Sequence, residues 1–206
     1  MTRPAAALPS SFLGQAGRWL LLLGGLLCYG LSLRLMIDAH VGVSPWDVFH
    51  IGISRKTGLS VGQVSILVGA VLVAFTALGL RERVGPGTVL NVVLIGLVLD
   101  WLAPLSPHPT FWPWQWAQFG LGLLLIGFAT GAYVSAGMGA GPRDSLMLGL
   151  SRVLGWPVGR IRTGVELVVL LLGTLLGGPV GLGTLAFALV VGPSVAWGLK
   201  LFERWR

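Results

Sequence analysis

Two carboxylates, Asp47 and Asp144, occupy the same place in two copies of one pattern, Val41 to Gly62 and Met138 to Gly159. At a constant spacing of 97 residues, Gly42, Pro45, Asp47, Gly52, Ser54, Arg55, Gly58, Val61 and Gly62 recur as Gly139, Pro142, Asp144, Gly149, Ser151, Arg152, Gly155, Val158 and Gly159. Each copy reads as the start of a short helix. Ser44 caps the first, Pro45 takes its first position, and Asp47 takes its third, where a carboxylate can bond back to the cap. Gly141, Pro142 and Asp144 repeat this. Backbone amides at such a helix start favour an anionic group, whereas Asp47 and Asp144 favour a cation or a proton. The two signs oppose each other and leave the charge of a bound solute open.

Further polar residues join this set. Ser54 lies seven residues after Asp47, and Ser151 seven after Asp144, so each pair shares a helical face. His50 lies on the face of Asp47, but its counterpart is Met147. A histidine singled out in this way is more often a local hydrogen-bonding residue than a proton carrier. Helix ends alone would account for Pro45, Asp47, Gly58 and their copies. They do not account for the Asp/Ser faces, nor for Gly52 and Gly149 in mid-helix, where glycine costs about 1 kcal/mol relative to alanine. Asn91 and Glu166 complete the candidate binding set, because polar groups within apolar spans are expensive. Asn91 can equally join helices. Glu166 can equally pair with Arg162 one turn earlier, and Asp100, near a span end, is expected to be wet. There is no H-E-x-x-H and no Walker loop, so no enzyme, cofactor or metal is expected.

The elements that must position these residues are membrane helices. Of 206 residues, 54% are hydrophobic and only 10% charged, against about 25% charged in soluble domains. The net charge of +7 is spread over the ends of apolar segments and forms no basic stripe, which argues against nucleic acid as a partner. The lone cysteine, Cys28, excludes an intrachain disulfide. Six spans are expected: Trp19 to Ile37, Val61 to Leu80, about Val84 to Leu105, about Ala117 to Ala136, about Val158 to Gly177, and from Gly183 to about Leu199. The first run is long for a signal peptide and no clear cleavage site follows it. Arg34 and Asp38 can pair near its end. Between spans three and four, Ser106 to Trp116 is read as a loop whose tryptophans suit a membrane interface. The motif helix, Pro45 to Thr57, would be about 20 Å long at ~1.5 Å per residue, too short to cross. Gly127-x-x-x-Gly131 and Gly173-x-x-x-Gly177 are packing signals, within the chain or in a homo-oligomer.

The duplication extends past the motif. Val84, Gly85, Gly87, Thr88, Gly96 and Trp101 recur, 96 residues on, as Val180, Gly181, Gly183, Thr184, Gly192 and Trp197. Each half is therefore span, motif helix, span, span, and an odd number of spans places consecutive halves in opposite orientations. With the N-terminus cytoplasmic, eleven of the fourteen Lys and Arg fall inside, and only Arg34, Arg55 and Lys56 fall outside. The expected fold is all-α: a polytopic membrane helical bundle of six transmembrane helices in two inverted three-helix repeats, each with a short Pro-initiated motif helix. Residues 1–206 form one membrane domain, with repeats at about 17–105 and 117–202. That plan is common among secondary transporters.

The run G-x-x-P-W-D-x-x-x-x-G-x-S-x-x-x-G-x-x-x-G, preceded by one apolar span and followed by two, resembles the bacterial YczE-like membrane proteins, a group often placed with YitT and YyaS. The resemblance implies a multi-pass protein of the bacterial inner membrane and supplies no catalytic residue. The second copy departs from it at Arg143, where the first has Trp46, and at Met147, where the first has His50. Two functions compete. One is a small-solute secondary transporter or permease, and the other is a non-transporting assembly or regulatory partner within the bilayer. Asp, Ser and His on one motif face favour the first.

Overall fold

Proline, preceded by serine or glycine, sets several of the helix starts. The computed structural model describes residues 14–203. Residues 1–13 lie outside the described residues, as do Arg3, Arg204 and Arg206 of the charge count. Among the described residues eight helices follow one another: α1 (Gln15–Asp38), α2 (Pro45–Thr57), α3 (Val61–Leu78), α4 (Pro86–Trp101), α5 (Trp112–Ser135), α6 (Pro142–Leu154), α7 (Val158–Leu175) and α8 (Leu182–Leu201). Among the described residues there is no strand. The two motif helices have 13 residues each. Both end on a left-handed glycine, Gly58 at φ 75° and Gly155 at φ 69°, a conformation that lets the next amide return to the last helical turn.

Four helices, α1, α3, α5 and α8, are long and apolar enough to cross a membrane. The other two expected spans are less clear-cut. α4 has 16 residues, because Pro86 starts it and the chain turns after Trp101, so it is shorter than the stretch Val84 to Leu105. α7 has 18 residues but carries Arg160, Arg162 and Glu166 in its first half. The segment Ser106 to Trp116 is not wholly a loop. Pro113 lies in the first turn of α5, which begins at Trp112, and Trp112 and Trp114 project from that turn with about two-thirds of their surface exposed.

α1 and α5 form the centre of the molecule, and their contact is reciprocal. A Cβ on Gly25 would come within 2.7 Å of the Tyr133 amide nitrogen, and one on Gly122 within 2.6 Å of Met36 Cγ. Gly25 and Gly122 are equivalent positions in the two copies, as are Met36 and Tyr133. Around them Leu22, Leu26, Leu33, Met36, Phe119 and Ile126 are buried in one cluster. In a bilayer little of this stability comes from leaving water. It comes from dispersion between surfaces that small residues bring close. α4 packs on α1 at Gly30, where a Cβ would meet Val98, and α8 packs on α5 at the equivalent pair Gly127 and Ser194. Gly131 faces Gly198, so the Gly127/Gly131 pair joins helices within the chain. Of the second glycine pair only Gly173 packs, against α2, while Gly177 sits in a turn at φ 85°.

The loops that lead into the motif helices are exchanged between halves. The Gly183 amide donates to the Val41 carbonyl at 2.7 Å, and the Gly87 amide to the Met138 carbonyl at 2.9 Å. Thr184 Oγ1 accepts from the Val43 amide at 3.3 Å, while Thr88 Oγ1 donates to the Ala140 carbonyl at 2.8 Å. Gly42 and Gly139, at φ 121° and 129°, allow these turns, because an L side chain there would be strained. Arg55 donates to the Gly177 carbonyl, and its equivalent Arg152 to the Leu80 carbonyl. Each half thus holds the other's motif helix at both ends.

Candidate binding site where the two short helices meet

The exchanged loops bring the N-termini of α2 and α6 to one point inside the bundle. There the Arg143 guanidinium lies over the Trp46 ring, 4.9 Å from its centroid. Trp46 and Arg143 are equivalent positions of the repeated pattern, so this contact joins like to like across the two halves. A stacked guanidinium is held by the ring's electron-rich face and keeps its N–H edge for other partners. Among the described residues Arg143 has no hydrogen bond or salt bridge to any side chain.

Two small cavities open from this contact. The first, of about 70 Å³, is lined by Tyr29, His50, Ser65, Asn91, Tyr133, Pro142, Arg143 and Asp144 with several apolar residues. The second, of about 90 Å³, is lined by Ser44, Trp46, Thr130, Arg162 and Glu166 and shares Tyr29, Tyr133, Arg143 and Asp144 with the first. Tyr29 and Tyr133 are the chain's only tyrosines, and their rings meet edge to face at 6.1 Å. Phenol groups buried in apolar helices usually seek a polar partner. Tyr133 finds one, donating to Asp144 Oδ2 at 3.0 Å.

The residues picked out from the sequence divide into three groups. His50, Asn91, Pro142 and Asp144 line the first cavity, and Ser44, Asp144 and Glu166 the second. His50 is 2% exposed and neither ring nitrogen has a hydrogen-bond partner; Asp47 Oδ1 lies 3.9 Å from His50 Nδ1, too far for a bond. Asp47 and Pro45 are buried but line neither cavity. Ser44 Oγ donates to Asp47 Oδ2 at 2.5 Å and accepts from the Asp47 amide at 3.2 Å, so this carboxylate helps to close the helix start. Ser54 and Ser151 lie at the far ends of α2 and α6. Their hydroxyls donate to the carbonyls of Leu59 and Trp156, both at 2.6 Å, so the shared Asp/Ser faces do not converge on one site. Glu166 accepts from Arg162 at 2.9 Å, as the spacing implied, and still faces the second cavity.

Asp100 is more engaged than the sequence indicates: it accepts from Ser60 Oγ at 2.5 Å and from the Gly62 amide at 2.9 Å, tying α4 to the start of α3. Ser60 lies in the string Gly58-Leu59-Ser60-Val61-Gly62, which spells G-x-S-x-G. That string marks a nucleophile when a strand turns into a helix. Here Ser60 is the N-cap of α3 and follows a helix.

Tyr29, Tyr133, Trp46 and Arg143 were missing from the set read from the sequence. The break in the repeat at Trp46 and Arg143 was the available signal for two of them. Outside the polar cluster, a larger apolar crevice of about 720 Å³ lies between α2, α3, α6 and α7. Trp46, Val68 and Leu72 border both the crevice and the polar cavities.

Residues 16–200 match the family described as a family of unknown function, DUF6198. The chain belongs to this family. It is 42% identical over 183 residues to the uncharacterized membrane protein YczE of Bacillus subtilis, covering 88% of this chain and 85% of that protein. An uncharacterized protein of Haemophilus influenzae is 36% identical over 89% of this chain and 84% of its own length. The uncharacterized protein YyaS of Bacillus subtilis is 28% identical over 87% of this chain and 91% of its own. No solved structure matches. The resemblance read from the Pro-Trp-Asp motif is therefore sound, and the chain is a helical membrane protein of this family.

Proposed function

We propose that the protein is a secondary transporter for a small solute, built of six membrane spans in two opposed repeats with both termini on the cytoplasmic side of the bacterial inner membrane. The observation that carries this reading is the polar cavity pair at the junction of α2 and α6, lined also by residues of the apolar helices α1, α4, α5 and α8. Two short helices whose starts converge on a central site are the arrangement that places ligands at mid-membrane in transporters. Buried His50 with two unpartnered nitrogens supports a site that a polar ligand or water completes, since such atoms are costly when left alone. A docking surface would not by itself call for polar side chains gathered around interior cavities. No enzyme activity, cofactor or metal enters this reading.

Two measurements test it. Purified protein in proteoliposomes should give saturable uptake of a small solute, which Arg143→Gln abolishes. If no solute in a broad panel moves and the protein purifies only with a second membrane protein, the partner role replaces transport. Orientation is tested by Lys56→Cys and Val153→Cys, each in a Cys28→Ala background. Both positions are exposed and occupy equivalent places in the two copies. Opposed repeats require that a membrane-impermeant thiol reagent reach them from opposite faces, and labelling from one face would end that topology.

A further inference from the structure

Counting formal charge alone, the central cluster favours a cation, because Asp47, Asp144 and Glu166 outnumber Arg143 and Arg162. Orientation reverses this. Asp47 lines neither cavity and is held by Ser44. Glu166 is held by Arg162. Asp144 faces both cavities but already accepts from Tyr133. Of the groups that face the first cavity with no bond recorded among the described residues, the Arg143 guanidinium is the one that only donates; Tyr29, Ser65, Asn91 and His50 can each donate or accept. The α6 start adds no free positive end: its N-cap Gly141 has no side chain, but Asp144 stands in its first turn, with Oδ2 3.3 Å from where a Cβ on Gly141 would sit. Asn91 Nδ2 lies 3.5 Å from the same point, so a donor and a carboxylate both stand beside this helix start.

Resting on the transporter reading, we propose that the site takes a small planar monoanion, a short-chain carboxylate, with the Arg143 fork as its principal partner. Arginine suits this task because its planar edge matches both oxygens of a carboxylate. Trp46 fixes the plane of the guanidinium, and cavities of about 70 and 90 Å³ exclude a large solute. The apolar residues of the first cavity, Val92 and Ile95, provide room for one or two methyl groups. The departure of the second repeat from the first at Arg143 then sets the sign of the ligand.

The test is binding, read independently of flux. Full-length protein in nanodiscs is titrated with sodium acetate, with methylammonium chloride and sodium sulfate as controls at equal ionic strength, by calorimetry and thermal unfolding. Acetate should bind saturably and raise the unfolding midpoint, and neither control should do so. Arg143→Gln should weaken acetate at least tenfold, and Arg143→Lys should weaken it less. If Arg143→Gln does not fold, Asn91→Asp serves, because a second carboxylate beside that of Asp144 should leave Arg143 outnumbered and weaken acetate by a similar factor. Binding of methylammonium in place of acetate, absence of acetate binding, or acetate binding unchanged in the variants would each overturn the proposal. Acetate binding without flux would leave this site standing and remove the transport reading. Flux of a cation would do the reverse.

Discussion

The two halves carry the same glycines at the crossing of their second and third long helices, yet only one half uses them. Between α3 and α4, a Cβ on Gly62 would fall 2.6 Å from Asp100 Oδ2, and one on Gly96 would fall 2.6 Å from the Gly62 carbonyl. The equivalent Gly159 of α7 and Gly192 of α8 have nothing within 4 Å. α7 packs instead along α2, where a Cβ on Gly52 would come within 2.8 Å of the Gly173 carbonyl. A pair of glycines permits two helices to touch; a polar latch decides whether they do. In the first half Ser60 and Asp100 form the latch, and at their places the second half has Pro157 and Ala196.

The largest expected effect breaks this comparison directly. Gly62→Val forces a branched side chain into backbone on the facing helix and should cost about 3 kcal/mol, the upper end for overpacking. Gly159→Val meets open space and should change stability by less than about 0.5 kcal/mol, as surface changes do. Reversible unfolding in mixed micelles compares the two. Equal losses would mean that the α7–α8 crossing is also closed.

A smaller effect should come from the latch. Asp100→Ala removes the acceptor of two hydrogen bonds at a helix start, a loss of about 1–2 kcal/mol. Spin labels on Leu67→Cys with Val93→Cys, and on the equivalent Gly164→Cys with Leu189→Cys, report each crossing from exposed positions in a Cys28→Ala background. The first pair should give the shorter distance. Under alternating access Asp100→Ala lengthens it and shortens the second pair in concert. If the first pair lengthens alone, the two crossings are independent and the rocking-repeat version of transport is lost.

How much of this was readable beforehand follows from the range of each signal. The bounds of α2 were legible because its start and stop lie in adjacent residues, Ser44-Pro45 and Gly58. The Arg34–Asp38 and Arg162–Glu166 pairs were legible for the same reason, since helix geometry alone brings residues four apart together. The start of α5 was misplaced because a tryptophan-rich stretch fits both an interfacial loop and a helix's first turns, and Pro113 tips it to the helix. The site was only half legible. His50, Asn91 and Asp144 stand out as polar residues in apolar sequence. Tyr29 and Tyr133 look like ordinary core aromatics until α1 and α5 are packed together. Arg143 reads as a helix-start residue, and only the meeting of α2 with α6 places it over Trp46.

A smaller effect than that of the latch concerns Ser54 and Ser151, which the spacing grouped with the aspartates. Each hydroxyl donates to a carbonyl just past its helix, at the same 2.6 Å in both halves. Here the halves do not differ, so Ser54→Ala and Ser151→Ala should each cost about 0.5–1 kcal/mol, the net value of one such bond, and by the same amount. Neither should change acetate binding, since neither serine lines a cavity. A variant that kept its stability but lost binding would show that the Asp/Ser face takes part in the site after all. It would also place the working cavity along the length of the motif helices, and Arg143 at its end instead of its centre.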